Sequence, residues 1–143
     1  MGMSLHAVDN SGIYLSINYW IWRPLMNLFR TSGVQPNMTS SESTSDSNDQ
    51  IDDDPWGLFE SGIGYISPRD TQSLYSHIEN FVKTIPAGHI RVLLDLETTE
   101  KPDDAVFHRS DEDMHLNYSI PVDFFPRILD FLRKCPNGFL SGM

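Results

Sequence analysis

The sequence predicts an α+β fold, with one domain over residues 1–143 in which a small N-terminal antiparallel sheet packs against two or three helices. Three observations predict it. Ile13, Leu15 and Ile17 alternate with Tyr14, Ser16 and Asn18, the period of a half-buried strand. Two later stretches, 67–85 and 122–134, repeat apolar residues at helical spacing. Between the strand signal and the first of these lies a polar, acidic stretch that has almost nothing to bury.

Taken in order, Asp9-Asn10-Ser11-Gly12 is a turn cluster, so residues 3–8 are expected to form a strand that pairs with 13–17. Next comes Asn18-Tyr19-Trp20-Ile21-Trp22-Arg23-Pro24-Leu25. Read as strand, Trp20 and Trp22 point to the same side and build one buried aromatic wall. Pro24 then suits a first helical turn, and a short helix over 24–30 ends near Ser32-Gly33. Residues 34–55 carry Glu42, Asp46, Asp49, Asp52, Asp53 and Asp54 without one basic residue, and read as a mobile acidic loop. Trp56-Gly57-Leu58-Phe59 is the point of re-entry into the core.

Ser67-Pro68-Arg69-Asp70 supplies a cap, a proline at the first helical position and an acid in the first turn. Leu74, Ile78, Phe81, Val82 and Ile85 follow at helical spacing, up to Pro86 and Gly88. Residues 89–97 fit both periods; the alternation of Ile90, Val92, Leu94 and Leu96 favours a strand. A second acidic stretch covers 97–113. The last helix, over 122–134, presents Phe125, Ile128, Leu129 and Leu132 as its apolar stripe and stops at Pro136-Asn137-Gly138. Trp20, Trp22, Phe81, Phe125 and Leu129 are expected in one core.

Composition narrows the function classes. The chain has 39% apolar residues and a formal charge of −10. That charge argues against nucleic acid and anionic membranes, since phosphates reward clustered Lys and Arg. One cysteine, Cys135, forms no disulfide within the chain and fits a reducing cytoplasm. Its place after an apolar helix and before Pro136 suits a packed thiol. No run of apolar residues reaches membrane-spanning length.

The chemical motifs are sparse. Trp20, Trp22 and Arg23 are the candidate ligand-binding residues, because rings beside a guanidinium can stack a planar or anionic group. His108 and His115 flank Asp111, Glu112 and Asp113, but the spacing matches no helical His pair, so no metal is assigned. The stretch from Asp46 lacks both the glycine and the bidentate acid of a calcium loop. Neither a Gly-x-Ser-x-Gly elbow nor a phosphate-cradling glycine loop occurs. No catalytic residues and no cofactor are assigned.

The block from Asn18 to Leu25, after a Met1-Gly2-Met3 opening and a short strand, resembles a group of small bacterial and phage proteins with no assigned activity. Their pattern has an Asn-x-Trp-x-Trp-Arg-Pro-Leu-like block, a middle helix, and a closing Phe-Leu-Arg element with a glycine and an aromatic beyond it. The resemblance covers about half the chain. Many of those proteins carry Cys-x-x-Cys pairs in the middle region, which this chain lacks. It implies a shared scaffold and a cytoplasmic setting, and no site residues. The expected function is a small non-enzymatic protein-binding or regulatory module with a protein partner, a basic one by charge. The alternative is a small-ligand binder or enzyme with a pocket at Trp20, Trp22 and Arg23.

Overall fold

The computed structural model describes residues 2–8, 12–37, 55–60, 64–103 and 106–142. The fold is α+β, as the sequence predicts. Strands β1 (Gly2–Ala7) and β2 (Tyr14–Asn18) pair antiparallel with Met3 opposite Ile17 and Leu5 opposite Leu15. Leu5, Leu15 and Ile17 are buried, so the alternation sends one face inward. The third strand of this sheet comes from the far end of the chain. β6 (Phe139–Gly142) pairs with the other side of β1, giving the order β2-β1-β6.

A second sheet, which the sequence reading does not contain, is built from β3 (Arg91–Leu93), β4 (Thr98–Thr99) and β5 (Ser119–Pro121) in the order β4-β3-β5. Residues 89–97 are therefore strand for only three residues. Leu93 N–H then donates to Glu97 O at 2.7 Å, and Leu96 takes φ of 71°, closing a tight turn to β4. Such short strands carry too few residues to show a period.

Helix α1 (Tyr19–Arg30) corrects the reading of the tryptophan corner. Asn18 caps it, its side-chain oxygen accepting from Trp20 N–H at 2.7 Å. The helix therefore begins five residues before Pro24, which lies in its interior with no N–H to give to the Trp20 carbonyl. At about 100° per residue, positions two apart face nearly opposite ways. Trp20 and Trp22 thus do not share a face. Trp22 is 2% exposed and joins Leu25, Met26, Leu28 and Phe29 in the core, whereas Trp20 is only partly buried.

Helices α2 (Pro55–Glu60), α3 (Pro68–Lys83) and α4 (Phe125–Arg133) complete the architecture. Trp56 and Phe59 are buried, and the Trp56 indole N–H donates to Val34 O at 2.9 Å. At the start of the expected acidic loop, Val34 is buried and Asn37 bridges to Tyr65; residues 38–54 lie outside the described residues. In α3, Ser67 accepts from Asp70 N–H, and Thr71, Leu74 and Ile78 are buried. The 122–134 helix starts as a 3-10 turn, Val122–Phe124, and its buried stripe is Phe125, Ile128, Phe131 and Leu132. Leu129 and Phe81 are partly buried against the same cluster.

One hydrophobic cluster draws on both sheets and all four helices, from Leu5 through Trp22, Phe59, Ile78, Val92, Ile120 and Phe125 to Phe139. Phe139 is its hub, its ring meeting Phe29, Phe59 and Phe131. Gly138, at φ of 94°, delivers it: any Cβ there would run into the Ile66 carbonyl. Among the described residues no helix is long and apolar enough to cross a membrane.

Candidate functional site

Four aromatic rings meet on the outer side of the first turns of α1. Trp20 lies 5.3 Å from Tyr19, 5.2 Å from Tyr118 and 5.6 Å from Phe107 between ring centroids, and Tyr19 lies 6.1 Å from Tyr118. All four contacts are tilted or edge-on, the arrangement that ring quadrupoles favour. The rings pack on one another. Tyr118 forms the floor, at 6% exposure, while Tyr19 and Phe107 stay open at 39% and 52%.

The elements that converge here are far apart in sequence. α1 brings Tyr19 and Trp20 because the Asn18 cap fixes the chain direction at its start. Tyr118 ends the 3-10 turn Met114–Asn117 and leads into β5, which packs against α1. Phe107 is held by a side-chain clasp. Asn117 Oδ1 accepts from His108 N–H at 2.8 Å, and Asn117 Nδ2 donates to His108 O at 2.9 Å. These two bonds stand in for a strand pairing and fix an otherwise irregular stretch beside the 3-10 turn.

Two arginines border the cluster. The Arg23 guanidinium sits 5.5 Å from the Tyr118 ring centroid, and Arg109 sits 5.9 Å from that of Phe107. Both side chains are exposed, and among the described residues neither has a carboxylate partner. Burial holds the Tyr118 phenol above its ordinary value, with Tyr19 adding to the rise and Arg23 opposing it. The phenol is therefore a neutral hydroxyl at physiological pH.

Of the predicted site residues, Trp20 and Arg23 come together over Tyr118, whereas Trp22 turns into the core and takes no part. Tyr19, Phe107 and Tyr118 are missing from the sequence reading. One signal points at Phe107: Val106-Phe107 is an apolar pair inside a polar acidic stretch, and both residues are exposed. Nothing in the sequence brings Tyr118 to α1. His77 and His89 find their partners away from this cluster. His77 Nε2 lies 2.7 Å from Thr31 Oγ1, just past the far end of α1, and His89 Nδ1 lies 2.6 Å from Thr98 Oγ1. The Thr31 hydroxyl donates to Leu28 O at 2.6 Å, so the His77 ring must donate to it and does not act there as a base.

The backbone of His108 is in the Asn117 clasp, and His115 is exposed on the 3-10 turn. Among the described residues no group of three His, Cys, Asp or Glu is placed to hold a metal ion. Cys135 is buried. The chemistry on offer at the aromatic cluster is apolar burial, ring stacking and charge-assisted donation from two guanidiniums. No family model matches the sequence, and comparison with curated proteins and with solved structures returns no match.

Proposed function

We propose that the protein is a small protein-binding or regulatory module whose contact surface is the Tyr19–Trp20–Phe107 cluster, with Tyr118 as its floor. The observation that carries this reading is the exposure of Tyr19 and Phe107 in ring contact with Trp20, bordered by two arginines. Tyr, Trp and Arg are the residues that dominate binding energy at protein interfaces. An exposed apolar patch with a polar border is the usual form of such a site. Asp111, Glu112 and Asp113 follow Arg109 in the chain and are exposed. The net charge of −10 favours a partner with an apolar centre and a cationic surface.

The test is a partner isolated from the source cell, followed by affinity measurement with variants. Trp20→Ala and Phe107→Ala should each weaken binding at least tenfold, corresponding to about 1.4 kcal/mol or more. The association rate should fall as salt is raised, because exposed charges are screened. Unchanged affinity in both variants would remove this surface from the interaction. A second reading, a small-ligand site, rests on the exposed guanidinium of Arg23 above Tyr118. It requires that Arg23→Ala abolish binding of a planar anionic compound by the isolated protein, with Trp20 fluorescence as the readout.

A further inference from the structure

The open edge of the first sheet carries a separate implication. β2 is an outer strand, and among the described residues nothing pairs with its far side. Ala7 N–H donates to Ile13 O at 3.0 Å, which fixes the parity of the ladder. In an antiparallel pair the bonded positions recur at every second residue. Leu15 and Ile17 therefore turn their backbone groups towards β1, and Tyr14 and Ser16 turn theirs outward. The strand Tyr-Leu-Ser-Ile-Asn has no charge and no proline, the usual devices that blunt an edge. Tyr14 is 63% exposed beside it.

A cleft of about 370 Å³ runs along this edge, between β2 and α4, lined by Ile13, Tyr14 and Leu15 on one side and Arg127, Phe131 and Lys134 on the other. Asp130 also lines it, but its carboxylate is held by Lys134 at 2.9 Å and Arg133 at 2.7 Å. Arg127 lies 5.3 Å over the Phe124 ring and, among the described residues, has no carboxylate partner. In a chain of net charge −10, three of its ten Lys and Arg residues lie along this helix, Arg127 in its first turn and Arg133 and Lys134 at its close. Symmetric pairing with a second copy would bring two such clusters towards each other, which like-charge repulsion opposes.

We infer that β2 accepts an extended, acidic segment of a partner protein as a fourth strand, with Arg127 receiving its carboxylates and Lys134 shared between them and Asp130. Backbone bonds to Tyr14 and Ser16 would supply affinity, and the cations would select acidic side chains at alternate positions.

The experiment uses the full chain, labelled for amide NMR, and two blocked heptapeptides, Thr-Glu-Val-Thr-Val-Glu-Thr and its counterpart with Lys in place of Glu. The Glu peptide should slow hydrogen exchange at Tyr14 and Ser16 at least tenfold and bind at least tenfold more tightly than the Lys peptide. Arg127→Glu with Lys134→Glu should abolish or reverse that preference. Ser16→Pro, which removes one outward donor, should abolish binding. Should that variant lose its native spectrum, a Glu peptide with N-methylated alternate amides serves the same purpose and should not bind the natural chain. Absence of protection by either peptide, or equal binding of the two, overturns the inference. Protection of Tyr14 and Ser16 that grows with protein concentration alone, together with a doubled sedimenting mass, overturns it in favour of a second copy.

Discussion

Trp20 and Trp22 look equivalent in the sequence and have opposite physical roles. Trp22→Ala removes a 2%-exposed indole from a packed core and should cost about 3–5 kcal/mol in urea unfolding. Trp20→Ala loses ring contacts at a partly open surface, so about 1 kcal/mol is expected. Equal losses would make Trp20 a core residue and leave the proposed contact surface without its centre. Tyr118 makes a pH-dependent contribution. Its folded pKa is raised above the ordinary 10.0, chiefly by burial. The folded state therefore holds the proton more tightly, and that stability is complete below about pH 10 and is lost as pH rises through the folded value. Unfolding midpoints should fall more steeply above pH 10 in the natural chain than in Tyr118→Phe.

At the scale of elements, two asparagines act as local organisers. Asn18→Ala leaves the Trp20 N–H without its acceptor and should destabilise α1 by about 1 kcal/mol, read as a shift in urea midpoint. Asn117→Ala opens the clasp on His108. Hydrogen exchange at the His108 amide should rise at least tenfold while α3 and α4 keep their protection, and partner binding should weaken because Phe107 is no longer held against Trp20. The helices were legible for a physical reason. In α3 the cap, the proline, the early acid and the apolar spacing all agree, and Ser67, Pro68 and Asp70 occupy the positions expected of them. In α1 the signals conflict. A pair of aromatics two apart followed by proline fits a strand leading to a helix start, and the Asn18 cap decides for helix.

At the scale of the whole molecule, closure depends on the last residues reaching the first. β6 lies beside β1, and Phe139 fills the middle of the core between α1, α2 and α4. Gly138→Ala places a methyl group against the Ile66 carbonyl at a backbone conformation hostile to side chains. It should cost about 3 kcal/mol or more and unfold both halves of the molecule together, seen as one shifted transition by circular dichroism and tryptophan fluorescence. The negative charge acts at the same scale. It belongs to no single contact, and for the proposed partner with a cationic surface its expected signature is an association rate that falls with salt.

By itself the sequence determined the α+β class, the β1–β2 pair, the two capped or amphipathic helices α3 and α4, and the acidic character of the chain. Each of these rests on interactions within a few residues, where periodicity and caps leave a readable pattern. Tertiary structure alone decided that β6 completes the first sheet, that 91–93, 98–99 and 119–121 form a second, and that Phe107 and Tyr118 meet Trp20. Those pairings join residues from 87 positions apart, Trp20 and Phe107, to 138, Ser4 and Gly142, or strands of two or three residues, and no local period encodes them. The sequence named Trp20 and Arg23 as residues to inspect; only the packing of β5 against α1 gave them the partners that make a surface.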